Sequence, residues 1–195
     1  MAIDWPTVAT TVLGSGVTAA VVTQGIAAFR DHTQRRARGR MVALSAAVAL
    51  ERFGCTCADL VADAANHHYS EGTMGAAHRE LPVLQLSGAG ADLNLLPIHV
   101  ASLILEFEAA IGRADVDLQD TAPHSHFEQA TPIFLRLGEE GFEIAMMVRE
   151  KMCLPCSRSR DLDMRVEYLS EQREAFEREK VKVIDDLQIG AGANG

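Results

Sequence analysis

The hydrophobic pattern of this chain begins as an uninterrupted stretch and continues as a periodic one. Residues 5–29 contain no charged side chain. Beyond a block of arginines, apolar side chains recur every three or four residues, which places them on one stripe of a helix: Ala43, Ala46, Leu50, Phe53, Cys57, Leu60 and Ala64. Gly39 and Gly54 weaken such a helix without breaking it. The pattern therefore predicts that both stretches form a single helix of about 60 residues.

Three shorter helical patterns follow an irregular stretch. Glycine and proline punctuate residues 66–97, which indicates one long loop. Helices are predicted over residues 98–111, 139–152 and 161–188, with a polar connection at 115–123 and an ambiguous segment at 124–137, where Pro132 opposes a helix. The predicted inward-facing side chains are Ile98, Ala101, Leu105 and Phe107 in the first of these helices, and Phe142, Ala145, Met146 and Met152 in the second.

The last predicted helix has the most regular pattern, with a seam at alternating intervals of four and three residues: Leu162, Val166, Leu169, Arg173, Phe176, Lys180, Val183 and Leu187. Its two basic positions favour an amphipathic helix on a bundle over an intermolecular coiled coil. The predicted fold class is all-α, with an N-terminal transmembrane helix that continues into a small helical bundle with one long irregular loop. We expect an anchor with a basic juxtamembrane segment at 1–40, a cytosolic helical domain at 41–188 and a disordered tail at 189–195.

Residues 5–29 have the length of a membrane span. At about 1.5 Å per residue, a helix over this stretch reaches roughly 37 Å, which exceeds a hydrocarbon core of about 30 Å. Trp5 stands where an interfacial ring is expected. No cleavable signal peptide is expected, because the first four residues lack a basic side chain. The alternative is a helix buried between the subunits of a soluble oligomer.

A cluster of arginines gives this span an orientation. By the positive-inside rule, the cluster marks the cytoplasmic side of the membrane: Arg30, Arg35, Arg36, Arg38 and Arg40. We therefore expect a single-pass protein of a bacterial inner membrane, with its N-terminus outside and its C-terminal domain in the cytoplasm. In that compartment the cysteines stay reduced.

The charge of the chain and its small residues limit the kinds of partner that it is expected to bind. The net charge of −9 conceals an asymmetry, because residues 41–195 hold 13 basic against 25 acidic groups, a net charge of −12. Such a domain repels nucleic acid, so no nucleic-acid partner is expected and the arginines are assigned to lipid headgroups. The expected partners are the lipid bilayer and either a second copy or another protein. Self-association would use small residues that permit close helix–helix approach, namely Gly14, Gly16 and Ala20.

The cysteines raise the question of thiol or metal chemistry. The C-L-P-C run at residues 153–156 has the spacing of a thiol–disulfide exchange motif and of half a zinc site. It follows a predicted helix C-terminus, where the dipole disfavours a thiolate, so redox catalysis is not expected. Cys55 and Cys57 lie in a predicted helix and point to nearly opposite sides unless Gly54 ends it. The candidate metal ligands are Cys153, Cys156, His67 and His68, with both histidines expected in a loop.

No constellation for catalysis is evident. The carboxylate pairs Glu139–Glu140 and Asp161/Asp163 are expected at helix N-termini, where negative charge is favourable in its own right. The sequence has no Gly-rich phosphate loop, no H-E-x-x-H and no nucleophile elbow. The chain is therefore expected not to be an enzyme, and no cofactor is expected.

The opening of the chain has two short patterns before its arginine block, D-W-x-T-V at residues 4–8 and T-V-x-G-x-G-V at 11–17. In these features the chain resembles a family of uncharacterised bacterial and prophage membrane-anchored helical proteins. Looser similarity extends over residues 47–60 and 141–155. The resemblance implies a single-pass anchor but transfers no functional residue. It also implies a tyrosine-glycine-leucine-proline turn where this chain has Met152-Cys153-Leu154-Pro155, which weakens a catalytic role for Cys153.

The function expected from the sequence is that of a membrane-tethered helical interaction or accessory protein, whose specific role the sequence leaves open. The alternative is a membrane-bound enzyme or sensor that depends on zinc or on the thiols of Cys153 and Cys156.

Overall fold

The fold is known from a computed structural model, which describes residues 5–76, 80–86, 92–119, 126–156 and 159–192, and their side chains over 23–76, 80–86, 92–119, 130–156 and 159–182. Across these residues the regular structure is helical: α1 (Trp5–Tyr69), a 3₁₀ turn (Leu93–Leu95), α2 (Ile98–Gln119), α3 (His126–Lys151) and α4 (Arg160–Gly192). The predicted all-α fold, a long apolar N-terminal helix followed by a small bundle, is confirmed.

The first helix serves both outside and inside the bundle. It runs unbroken for 65 residues, about 100 Å at 1.5 Å per residue. Residues 23–38 are all exposed, and burial begins at Gly39. The predicted inner stripe is confirmed, since six of its seven positions are buried and Leu60 packs on the core. Residues 23–38 therefore form an arm that projects from the bundle, and the part of α1 that follows, to Tyr69, is the central helix of the bundle.

Helices α1 and α3 form the antiparallel centre of the core. Along α1, Glu51, Gly54 and Cys57 face positions of α3 with falling residue numbers, from Arg149 to Gly138. Glycines allow this close approach, because a Cβ on Gly54 would lie 2.8 Å from the Phe142 ring. Helix α2 packs beside them, where the Phe53 and Phe107 rings meet edge to face at 5.4 Å.

Helix α2 is longer than predicted and presents a different face. It continues through the expected polar connection to Gln119, because Asp117 is exposed and Asp115 half-buried while Ala114 and Leu118 are buried. Two predicted core residues are exposed, Ile98 at 87% and Leu105 at 51%. The buried stripe consists instead of Val100, Ile104, Phe107, Ala114 and Leu118, whose spacing fits a longer helix. The predictions for Ile98 and Leu105 were wrong because the helix was cut short.

Helix α3 includes Pro132, which was expected to interrupt it. The proline lies in the second turn, where it removes only one i→i−4 hydrogen bond. The burial of Phe134, Leu135 and Leu137 directly after it offsets that cost. In the same helix Phe142 and Ala145 are buried as predicted and Met152 packs against the core, whereas Met146 is exposed.

Helix α4 packs through its first three turns. Leu169 is buried, and Leu162 and Val166 are half-buried against the core. Further along the predicted seam, Phe176 is half-buried, whereas Arg173 and Lys180 are exposed. The side chains of Val183 and Leu187 lie outside the described residues. The backbone is helical through Gly192, within the segment expected to be a disordered tail, and residues 193–195 are not described.

Candidate functional site

The arm that projects from the bundle carries apolar and basic side chains into solvent. Phe29 is 69% exposed and Ile26 is 56% exposed, although both are large and hydrophobic. Arg30, Arg35, Arg36, Arg38 and Arg40 are all exposed as well. At 100° of rotation per residue, the five arginines are distributed around the whole circumference of the helix rather than on one side.

The arm joins the bundle at a close contact beneath Gly39. A Cβ at this position would lie 2.8 Å from the carbonyl oxygen of Leu95 in the 3₁₀ turn, so only glycine fits without a shift of backbone. The next residue, Arg40, donates a hydrogen bond from Nη2 to the carbonyl oxygen of Cys153 at 2.8 Å. The last arginine of the cluster is therefore used to hold the turn after α3.

A partly buried ion pair holds the same turn from the inside. The Arg149 guanidinium donates from Nε and Nη2 to the two carboxylate oxygens of Glu51, at 2.6 and 2.9 Å. Its Nη1 donates to the carbonyl oxygen of Pro155 at 2.6 Å. The hydrogen bond to Glu51 outweighs the effect of burial and raises the pKa of Arg149, so its guanidinium stays charged. Two arginines thus fix the carbonyl groups of Cys153 and Pro155.

The cysteines of α1 are poor candidates for chemistry. Burial raises the pKa of Cys57 to about 12, which keeps its thiol protonated and inert. Burial also raises the pKa of Cys55, against a lowering effect of Arg165. Gly54 does not end the helix, so both cysteines lie on α1; Cys57 is buried in the core and Cys55 is half-buried against it.

The other two cysteines share an exposed turn. Cys153 and Cys156 are both free thiols on the surface, beyond the last residue of α3. The turn closes with hydrogen bonds from the Leu154 N–H to the Arg149 carbonyl at 2.8 Å and from the Cys153 N–H to the Glu150 carbonyl at 3.1 Å. Cys153 has a φ of 49°, the left-handed conformation that usually requires glycine in this helix-ending motif. The predicted position after a helix C-terminus is confirmed.

The histidine candidates lie elsewhere than predicted. His67 and His68 belong to the last turn of α1 rather than to a loop. The Nδ1 of His67 is buried without a hydrogen-bond partner, beneath Gly72 at a φ of 84°. Among the residues that the structure describes, no three His, Cys, Asp or Glu side chains are grouped as metal ligands. The proposed ligand set of cysteines and histidines is therefore not brought together there.

Only one of the two carboxylate pairs lies at a helix N-terminus, where both were predicted. Asp161 and Asp163 lie in the first turn of α4, as predicted. Glu139 and Glu140 lie in the middle of α3 rather than at a helix N-terminus, because α3 begins at His126, within the segment that the sequence left ambiguous. Glu139 instead pairs with Arg173 of α4. These carboxylates thus stabilise helices and their packing.

A shallow groove on the outer face of α1 was not anticipated. It encloses about 290 Å³ and opens widely to solvent. Its lining combines apolar side chains with polar ends: Met41, Leu44, Ser45, Val48, Ala49, Arg52 and Gln85. The signal was present in the sequence as a second apolar stripe on α1, opposite the one that forms the core.

One described stretch of helix, Thr23–Tyr69, is long and apolar enough to cross a membrane. However, 56% of the apolar 18-residue segment that gives this helix its hydropathy is buried inside the protein, which is typical of a core helix. The uncharged stretch at residues 5–22 has a helical backbone, but its side chains, including those of Trp5, Gly14, Gly16 and Ala20, lie outside the described residues.

Comparison with known proteins adds no family to this picture: no protein-family model, curated protein or solved structure matches the chain.

Proposed function

We propose that this chain is a membrane-tethered helical accessory protein. Residues 5–29 cross the bilayer, residues 30–38 form a short helical stalk, and the bundle stands on the cytoplasmic side. No enzymatic activity belongs to this proposal. The role of the chain is to hold an acidic helical surface near the membrane, where a partner confined to the same membrane meets it at raised effective concentration.

The single observation that carries this proposal is the uncovered arm of α1. Residues 23–38 are exposed along their whole length, and Ile26 and Phe29 present large apolar side chains there. A helix with no charge from residue 5 to residue 29 needs an apolar surrounding of its own. Lipid supplies that surrounding along the full length, and the arginines supply the cytoplasmic boundary.

The arrangement of the arginines favours lipid over a nucleic acid. Because Arg30, Arg35, Arg36 and Arg38 surround the helix without the help of Arg40, which binds the bundle, a helix that passes through a layer of phosphates contacts headgroups on every side. A duplex would meet only one side of the helix and would also face the acidic bundle. The bundle carries most of the net charge of −12 found in residues 41–195. Its acidic surface is therefore available to a protein partner rather than to the anionic membrane.

The stalk sets the height of the bundle above the bilayer. Phe29 and Gly39 are ten residues apart on a continuous helix, a rise of about 15 Å. The apolar segment within Thr23–Tyr69 is not a second membrane span, because over half of it is buried inside the bundle. The groove lined by Met41 and Val48 lies immediately above the stalk. A membrane-bound partner would reach this region first.

Fractionation of the full chain in a bacterial host tests the proposal. We expect the chain to remain with membranes after washes in high salt and in alkaline carbonate, and a variant lacking residues 1–29 to become soluble. A variant with Arg35→Gln and Arg36→Gln serves as a control, because loss of headgroup attraction alone should not release a spanning helix. Release of the full chain by either wash would overturn the proposal.

A further inference from the structure

The turn that follows α3 has an unusual composition for its conformation. Cys153 occupies a left-handed position that an L side chain adopts at a cost of about 1 kcal/mol, and glycine adopts freely. Such a residue persists where surrounding contacts hold it. Here those contacts are the Arg40 hydrogen bond to the Cys153 carbonyl and the Arg149 hydrogen bond to the Pro155 carbonyl. A strained residue with a thiol side chain is thus held in place from two sides.

Both thiols in this turn are accessible, and no regular helix separates them. Cys153 and Cys156 are exposed, three positions apart, and follow the last helical residue, Lys151. Only two residues separate these cysteines along the chain, and a disulfide between them forms when their Cα atoms come to about 5.5 Å from each other. By contrast, Cys57 is fully buried and Cys55 is partly buried, on a rigid helix. Among the four cysteines, only the pair in the turn is exposed at both thiols and lies outside a helix.

We infer that Cys153 and Cys156 form a redox-responsive dithiol, which closes to a disulfide by exchange with a low-molecular-weight disulfide such as oxidised glutathione. One thiolate attacks the external disulfide, forms a mixed disulfide and releases one thiol. The second thiolate then attacks the mixed disulfide and releases the other thiol. Two protein thiols lose two electrons and two protons, and one external disulfide is reduced to two thiols.

Closure acts on the junction between arm and bundle. The Cys153 carbonyl accepts the bond from Arg40, one residue after the tight contact at Gly39. A disulfide changes the backbone of residues 153–156, so it also changes the hydrogen bonds made by Arg40 and Arg149. The redox state of the turn is in this way transmitted to α1 where the stalk meets the bundle. This consequence does not rest on the proposed function, since it holds whatever surrounds residues 5–29.

The test uses the full chain purified in mild detergent, equilibrated with mixtures of reduced and oxidised glutathione and then acid-quenched. Free thiols are alkylated, and peptides are assigned by mass spectrometry. We expect an intramolecular bond between Cys153 and Cys156, with Cys55 and Cys57 left as free thiols. The single variants Cys153→Ser and Cys156→Ser should each yield a glutathione adduct on the remaining cysteine of the turn. A double variant, Cys55→Ser with Cys57→Ala, serves as the matched control and should close the bond as the wild type does.

Two results would overturn the inference. One is a wild-type chain in which both turn cysteines carry glutathione, or stay unmodified, under conditions that oxidise small dithiols. The other is a disulfide that involves Cys55 or Cys57. Hydrogen exchange provides the second readout, because amides around Arg40 should exchange about tenfold faster in the oxidised chain if a bond to the turn is lost. Unchanged exchange there would contradict transmission to α1.

Discussion

Glycine at position 54 provides the sharpest test of the packing between α1 and α3. Alanine in a helix is ordinarily more stable than glycine by about 1 kcal/mol. At Gly54, however, the added Cβ would lie 2.8–2.9 Å from three carbon atoms of the Phe142 ring. Ordinary carbon contacts are about 3.5–4.0 Å. Because Phe142 is itself buried in the core, the ring has little room to withdraw.

The expected magnitude follows from these two opposing effects. Forcing a methyl group into a packed core costs about 2–3 kcal/mol, of which the helix preference of alanine returns about 1 kcal/mol. Gly54→Ala should therefore lower the free energy of unfolding by about 1–2 kcal/mol. The control is Gly112→Ala in α2, where no heavy atom lies within 4 Å of the new Cβ. That variant should gain roughly 0.5–1 kcal/mol.

Urea titration of both variants in detergent, followed by circular dichroism at the helix band, measures the difference. We expect the midpoints to move in opposite directions from the wild type. If Gly54→Ala were as stable as Gly112→Ala, the close contact between α1 and α3 would be refuted. A loss of stability in both variants would show instead that the helices, rather than their contact, are sensitive to alanine.

Three other predictions concern ionised and strained groups. Arg149→Ala should destabilise the fold by about 2 kcal/mol, because it leaves the partly buried Glu51 without its partner, whereas Arg173→Ala on the exposed surface should cost about 1 kcal/mol or less; urea titration compares them. The unfolded thiol of Cys57 ionises near its ordinary pKa of 9.0, but the folded one ionises only near 12. The contribution of the neutral thiol to the free energy of unfolding is therefore complete below about pH 9 and falls between about pH 9 and pH 12, by up to about 1.4 kcal/mol per pH unit. Cys57→Ala should make this fall in stability less steep. Cys153→Gly should raise the free energy of unfolding by about 1 kcal/mol through relief of the left-handed conformation.

Each of these has a contrary outcome. Equal losses for Arg149→Ala and Arg173→Ala would contradict the burial of the Glu51 pair. An unchanged alkaline slope in Cys57→Ala would mean that this thiol titrates normally in the folded chain. Any loss of stability in Cys153→Gly would contradict relief of strain as the dominant effect of this substitution.

The helical stripe of α1 could be predicted because its spacing persists for seven positions, from Ala43 to Ala64. Helix α2 shows where the same reasoning fails. Its pattern was cut at residue 111 because acidic residues follow, and a shorter helix selects a different phase, which placed Ile98 inside. Charged residues on the outer face of a helix are compatible with burial of its inner face, so composition alone does not locate the end.

The contacts around the turn at 153–156 could not be predicted from spacing. Glu51 and Arg149 are 98 positions apart, and Arg40 and Cys153 are 113 apart. Such pairs depend on the register between α1 and α3, which is set by glycines and ring packing rather than by the helical period. The sequence did predict that the cysteine pair follows a helix, because the helical pattern over residues 139–152 ends directly before Cys153. No pattern indicated that Arg40 belongs to the bundle rather than to the headgroups.

Accessibility of thiols across the membrane tests the central claim most directly. Two proteins are expressed in a bacterial host: the full chain, and an Ala2→Cys variant whose native cysteines are replaced by serine or alanine. The outer membrane of the cells is then removed. A membrane-impermeant maleimide is then applied before and after lysis. The account predicts that the Ala2→Cys variant reacts in intact cells, whereas Cys153 and Cys156 of the full chain react only after lysis. Reaction of Cys153 and Cys156 from outside, or recovery of the full chain in the soluble fraction, would contradict a helix that crosses at residues 5–29 with its arginines inside.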